Sequence, residues 1–286
     1  MAVFYWHNEG RLGNLLFQYA AIMRYTSRDD RVYTFRNEAF DLLESDPRFR
    51  IIPGSGRVGA KMNFEINRLA LWAMRHKLVG YIQPESLMKF DAYHTESADV
   101  VRVVGAVGSH FVIKGFFQYG HFREQPVRIK PRLIEAAKKS LASATKAKVT
   151  VAVHVRQTDY GSWPVYGIPG VLLPARWYRD RMNELRERLP SPTFIVFSDD
   201  IESTKTLRLG DDVIYFSESS AIEDFAVMAL CDHAIISPSS FAWWAALTYP
   251  RADKVVMAPT YWAGFKRSAW FPTTILTEGI EYYPVP

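Results

Sequence analysis

Residues 149–160 read Val149-Thr150-Val151-Ala152-Val153-His154-Val155-Arg156-Gln157-Thr158-Asp159-Tyr160. The first seven form a short apolar, β-branched run that ends in a polar loop, the pattern of a strand buried on both faces of a parallel sheet. Runs of the same kind recur at 193–197, 213–216, 233–237 and 254–258. Helical periodicity fills the intervals at 174–189, 201–209, 221–231 and 240–248. Alternating strands and helices predict a parallel sheet with crossover helices, a doubly wound domain of the nucleotide-binding type. Ser220 and Glu223 carry a capping-box pattern for the helix that follows them.

Working back from this block, 130–147 begins Lys-Pro-Arg and predicts a helix bridging two halves of the chain. The N-terminal half opens with a strand at 2–6, the loop Gly10-Arg11-Leu12-Gly13-Asn14, and a helix from about 14 to 25. Leu15, Leu16, Tyr19, Ile22 and Met23 fall at helical spacing there. From 29 to 125 the pattern is weaker, with strands expected at 31–35 and 111–116 and a helix at 61–77. The expected domains are 1–130 and 131–286, and the aromatic tail from about 260 is expected to cross back to the first.

With 286 residues, 48% of them hydrophobic, the chain can bury the core of one large domain or two ordinary ones. Its longest apolar stretches, such as 241–247, fall well short of the ~20 residues that a bilayer requires. The opening residues lack the basic start and small-residue cleavage site of a signal peptide. The single cysteine, Cys231, excludes an internal disulfide framework and fits a reducing compartment, so a cytoplasmic location is expected. The formal charge is +5, but basic residues are interleaved with acids, as at 179–184, which reads as a solvated helix face. No zinc-finger, RNA-recognition or basic-zipper signature is present, so no nucleic-acid partner is expected.

Three segments can carry chemistry, each with a plain structural alternative. The loop Gly10–Asn14 lies between a strand and a helix, where glycines admit close backbone approach and a helix N-terminus offers N–H groups to an anion. It reads equally as an ordinary turn. Arg156 and Asp159 follow the strand 149–155, and ligands of open α/β sheets bind beyond the carboxyl ends of strands. Arg156 can grip a phosphate through its planar fork, with Asp159 as its orienter or as a base. The alternative is a simple strand-end ion pair between the two. Ser239 and Ser240 precede an apolar helix, which they can cap while offering hydroxyls to a phosphate; Trp243 and Trp244 read as core. A fourth feature, Phe197-Ser198-Asp199-Asp200, offers either a carboxylate to a nucleoside or a helix cap.

Several chemistries are excluded. No two aspartates lie two positions apart, so an Asp-x-Asp metal element is missing. No His/Cys set has metal-ligand spacing, and no Gly-x-x-x-x-Gly-Lys-Ser/Thr loop occurs. A leaving diphosphate would have to be neutralised by arginine and helix dipoles.

Taken in order, these segments resemble the bacterial and animal α-1,2-fucosyltransferase family, glycosyltransferase family 11. Gly10-Arg11-Leu12-Gly13-Asn14 and Phe17-Gln18-Tyr19-Ala20 are similar to its N-terminal stretch, and Gly115-Phe116-Phe117-Gln118 to its Gly-Tyr-Phe-Gln element. His154 to Tyr160 resembles its His-x-Arg-Arg-x-Asp-Tyr motif, Phe197–Asp200 its Phe-Ser-Asp-Asp, and Met228 to Trp244 its closing run. The resemblance implies an α/β fold of the GT-B type, two facing Rossmann-like domains with a cleft between them. The C-terminal domain would hold GDP-fucose and the N-terminal domain a glycan acceptor, lipid-linked or a lipopolysaccharide in the fullest reading. It implies inversion without a metal or other cofactor, to O2 of galactose, in a bacterial cytoplasmic enzyme that meets a membrane at most peripherally. By match, Arg156 and Asp159 are catalytic. Gly13, Asn14, His154, Arg156, Asp199, Ser239, Ser240 and Phe241 bind the donor. Asp159, Glu9 and His7 are the candidate bases. Four positions depart from the pattern: Leu15, Gln157, Thr158 and Pro238. The alternatives are a same-fold enzyme with another GDP-sugar or linkage, and a non-catalytic nucleotide- or sugar-binding protein.

Overall fold

The computed structural model describes residues 1–54, 56–84, 100–125, 127–216 and 220–286. These fall into two compact units, Met1–Val127 and Arg128–Pro286.

In the first unit the chain runs β1 (Val3–His7), α1 (Leu12–Tyr25), β2 (Arg31–Phe35), α2 (Ala39–Leu42), β3 (Phe49–Ile52), α3 (Gly56–Arg75), β4 (Val79–Pro84), β5 (Val100–Val103) and β6 (Val107–Lys114). The sheet order is β3-β2-β1-β6-β4-β5, parallel except for β5 on β4. The strands β3, β4 and β5 were not legible in the sequence. β3 and β5 are four-residue edge strands too short to show a period, and in β4 Gly80 and Pro84 interrupt the β-branched pattern. Gly80 is there for space: a Cβ on it would meet the Val103 carbonyl oxygen at 2.4 Å. Residues 85–99, within the region expected to supply acceptor contacts, lie outside the described residues.

The second unit runs α4 (Pro131–Ala144), β7 (Thr150–Val155), the small hairpin β8 (Pro164–Val165) and β9 (Ile168–Pro169), then α5 (Ala175–Arg188) and β10 (Thr193–Ser198). It continues with α6 (Ile201–Lys205), β11 (Val213–Tyr215), α7 (Ala221–Leu230), β12 (His233–Ile236), α8 (Ser240–Leu247), β13 (Val256–Pro259) and β14 (Glu281–Tyr283). Its main sheet has the order β11-β10-β7-β12-β13-β14, every pairing parallel. All six residues of β7 are buried, which is why the central strand reads as an unbroken apolar run. Trp177, Tyr178, Met182 and Leu185 of α5 pack on Val151, Val153 and Val155 of that strand. The capping box of α7 is present, with Ser220 and Glu223 bonded reciprocally. Trp243 and Trp244 are core residues, their rings edge to face at 4.8 Å.

The residues from about 260 cluster with the second unit. Glu281–Tyr283 adds an edge strand to β13. Glu281 accepts two hydrogen bonds from the Arg188 guanidinium at 2.7 and 2.8 Å, and Arg181 lies 4.1 Å over the Tyr283 ring. Trp243 Nε1 donates to Thr277 Oγ1 at 2.9 Å. These partners are scattered along the chain, so the sequence of the tail gives no sign of them.

Candidate active site

Strand order locates the site in the second unit. From β7 the chain moves outward to β10 and β11, then returns to place β12 on the other side of β7. The carboxyl ends of β7 and β12 therefore flank a topological switch point, the position where open α/β sheets leave a ligand crevice. β7 ends in His154-Val155-Arg156 and β12 leads into Ser237-Pro238-Ser239. The two loops are tied together. Ser237 N donates to the His154 carbonyl at 3.2 Å, His154 Nδ1 and Ser237 Oγ are 2.7 Å apart, and Tyr160 Oη donates to the Pro238 carbonyl at 2.7 Å.

Arg156 stands over this junction, its side chain 13% exposed. Its Nε and Nη2 donate to Asp159 Oδ1 at 3.0 and 2.6 Å, and its Nη1 lies 3.0 Å from Asp199 Oδ2. The strand-end ion pair is thus present, but it is half of a three-residue arrangement. The Asp199 side chain is the less exposed of the two carboxylates, 16% against 63% for Asp159. Asp199 also accepts from the Gln157 backbone N–H at 2.8 Å and from the Thr158 hydroxyl. Both of its oxygens are engaged, Oδ1 by Gln157 and Oδ2 by Thr158 and Arg156. The helix-cap alternative for Phe197–Asp200 belongs to the next residue: Asp200 accepts from Ser203 N at 3.0 Å as the N-cap of α6. The Tyr160 ring sits 5.3 Å below the Arg156 guanidinium, and burial holds its phenol above the usual range.

His154 is buried. Burial, aided by the nearby Arg156 charge, lowers its pKa to about 4, so the imidazole is neutral around pH 7. Its ring lies 5.7 Å from Phe241, which packs edge to face on Phe225. Ser239 is the N-cap residue of α8, yet its hydroxyl makes no capping bond, contrary to the expected cap. Ser239, Ser240 and Phe241 therefore stand at the start of an eight-residue helix immediately beyond the Arg156 loop.

In the first unit Gly13 and Asn14 open α1, in the corresponding place of their own sheet, where β1 and β6 adjoin. Gln118 Nε2 donates to Asn14 Oδ1 at 2.8 Å, so the Gly10–Asn14 and Gly115–Gln118 segments meet. Gly10 has φ +83°, and a Cβ there would lie 2.8 Å from Asn14 Nδ2. At the helix N-terminus Leu12 N donates to Glu38 Oε2 at 3.0 Å. Buried Gln18 fixes the loop, accepting from Trp6 Nε1 at 2.8 Å and donating to the Glu9 carbonyl at 2.6 Å. His7 Nδ1 lies 3.2 Å from Glu9 Oε1 without hydrogen-bond alignment. Burial, with Lys114 adding to it and Glu9 opposing, holds His7 below its ordinary pKa.

Each set of motifs thus gathers in its own unit. Arg156, Asp159, Asp199, His154 and Ser239–Phe241 come together in the second; Gly13, Asn14, His7 and Glu9 lie in the first. Sequence reading missed Glu38 as the partner of α1, because nothing local joins positions 12 and 38. Tyr160 and Thr158 were inside a quoted motif but carried no assigned role. Among the described residues no cluster of three or more His, Cys, Asp or Glu side chains is placed to hold a metal, and no helix is long and apolar enough to cross a membrane.

This arrangement has parallels. An α-1,2-colitosyltransferase from Escherichia coli is 29% identical over 175 residues, covering 56% of this chain and 59% of that one. Galactoside α-(1,2)-fucosyltransferase 1 from Saimiri sciureus is 29% identical, covering 46% of this chain and 36% of that one. This chain therefore spans less than two thirds of the length of either relative. Among solved structures, POFUT1 in complex with GDP-fucose aligns over 90% of this chain and 97% of its own, with a TM-score of 0.55 at 12% identity. That likeness concerns the fold, which is α/β of the GT-B type. Residues 86–270, well over half of the chain, match the description Glycosyl transferase family 11. With the motif order and the switch-point site in agreement, the chain belongs to glycosyl transferase family 11.

Proposed function

We propose that this chain transfers L-fucose from GDP-β-L-fucose to a hydroxyl of a glycan acceptor in a single inverting displacement that requires no metal. The observation that carries the reading is Arg156, held by Asp199 at the switch point beside the start of α8. Departure of GDP builds negative charge on the β-phosphate, and a guanidinium already oriented stabilises that charge without reorganisation. In this reading phosphate oxygens take over the Nε and Nη2 donors that exposed Asp159 now accepts from, while Asp199 keeps its hold. Ser239, Ser240 and Phe241 line the same anion site, and neutral His154 supports it from below.

Inversion places the acceptor hydroxyl on the face of the sugar opposite GDP. The first unit is assigned to the acceptor, galactose O2 in an α-1,2 linkage, with a lipid-linked or lipopolysaccharide glycan as its setting in a bacterial cytoplasm. The names of the relatives support the linkage. The test is incubation with GDP-fucose and a β-galactoside in EDTA, with product linkage and anomeric configuration read by NMR. A β-linked product, or turnover only with added magnesium or manganese, would sink the mechanism. The E. coli colitosyltransferase likeness favours a second reading, another GDP-linked deoxyhexose as donor; turnover with GDP-colitose and none with GDP-fucose would select it.

A further inference from the structure

Helix α3 presents three large apolar side chains to solvent. On the side toward β1, Asn67 Oδ1 accepts from Tyr5 Oη at 2.6 Å and Asn67 Nδ2 donates to Asn63 Oδ1 at 2.9 Å. Ile66, Ala70 and Met74 share that face by helical spacing and are half-buried. The opposite face carries Phe64, Leu69 and Trp72, exposed by 64%, 62% and 50%. Water-facing helices ordinarily reverse this arrangement, so the exposed stripe calls for an occupant.

Charge indicates which one. Between residues 56 and 77 there are five lysines and arginines and one acid. Glu65 is that acid, and Arg68 lies 2.6 Å from it. Lys61 and Arg75 stand on the same exposed face as Phe64 and Trp72, and among the described residues no carboxylate pairs with either of them or with Lys77. The patch continues past the end of the helix. Ala106 N donates to the Lys77 carbonyl and Val107 N to the Leu78 carbonyl, both at 2.8 Å, bringing exposed Leu78, Val104 and Val107 alongside. Aromatic and aliphatic side chains flanked by unpaired Lys and Arg match the headgroup boundary of an anionic bilayer, with the apolar groups entering and the cations staying among the phosphates. A second copy of this chain would instead set these cations against their own kind across a two-fold axis.

We propose that the exposed face of α3, with the adjoining β5–β6 turn, docks the chain peripherally on an anionic lipid surface. This stands on α3 alone and does not depend on the donor or acceptor assigned above. Its test is cosedimentation of the full chain with phosphatidylcholine vesicles, with and without a minority of phosphatidylglycerol. Binding should appear only with the anionic lipid and weaken with salt. A Phe64→Ser, Trp72→Ser variant and a Lys61→Glu, Arg75→Glu variant should each lower partitioning by about tenfold or more. Both should leave thermal unfolding and GDP binding unchanged, since the altered side chains are exposed and belong to the first unit, whereas the nucleotide motifs belong to the second. The proposal is overturned if the protein ignores phosphatidylglycerol or if both variants bind as the parent does. It is equally overturned if light scattering in the absence of vesicles shows a dimer that the Phe64→Ser, Trp72→Ser variant dissociates.

Discussion

Asp199→Asn is the substitution that most directly probes the site. The carboxylate accepts from Gln157 N at 2.8 Å, from the Thr158 hydroxyl, and from Arg156 Nη1 at 3.0 Å. An amide has one acceptor oxygen. If its nitrogen takes the first position it meets the Gln157 N–H; if it takes the second it meets the Arg156 guanidinium. Either way a donor faces a donor and the charge is gone. A hydrogen bond to a charged partner contributes about 1.5–3 kcal/mol, so kcat/KM should fall by about 10- to 100-fold at roughly 1.4 kcal/mol per decade. Because the leaving diphosphate carries more charge in the transition state than in the bound donor, more of the loss should appear in kcat than in GDP affinity. Asp159→Asn is the internal comparison. Its carboxylate is largely exposed and, in the proposed mechanism, competes with phosphate for the same two Arg156 donors. Removing its charge should leave GDP affinity unchanged or a few-fold tighter. Calorimetry with GDP and continuous measurement of GDP release would read both effects, with thermal unfolding as a control for integrity. The reasoning is refuted if Asp199→Asn stays within about twofold of the parent, or if Asp159→Asn weakens GDP binding more than Asp199→Asn does.

Other outcomes follow from the same geometry. Arg156→Ala should lose on the order of 100-fold or more in turnover, as removal of a single charge-stabilising donor does elsewhere, and Arg156→Lys should rescue it poorly because a point charge cannot replace a planar fork; near-full activity in the lysine variant would disprove the bidentate role. GDP binding measured by calorimetry should survive EDTA, and binding that needs a divalent ion would count against an arginine-based anion site. His154 should make the fold acid-sensitive: its folded pKa of about 4 lies below the ordinary 6.5, so the unfolded chain takes up a proton that the folded one refuses. That stabilisation is complete above pH 6.5 and is lost as pH falls toward 4, amounting to about 3 kcal/mol at most. His7, His121 and His233 are shifted the same way, so the contribution of His154 is the difference in slope between the parent and His154→Gln in denaturant titrations across that interval. Equal slopes would refute it.

The sequence by itself determined the central strands and crossover helices of the second unit. Strands buried on both faces must be short apolar runs, and crossover helices must return between them, so β7, β10, β12 and their helices are visible as composition and period. The capping box and the core role of Trp243 and Trp244 were legible for the same reason: each is a local pattern with a local cause. The ordered motifs also pointed to the family. Only the tertiary structure decided which partner each functional group takes. Asp199 and Asp200 are neighbours of the same chemistry, yet one turns to Arg156 and the other caps α6, because β10 lies beside β7 in register. Glu38 reaches the N-terminus of α1 from another element, and the tail joins β13 through Arg188, Arg181 and Thr277, pairings between distant positions that no window of sequence contains. The same holds for α3. Its amphipathic pattern is present in the sequence, but which face meets the sheet is settled by the bond from Tyr5 to Asn67, and that contact leaves Phe64 and Trp72 in solvent.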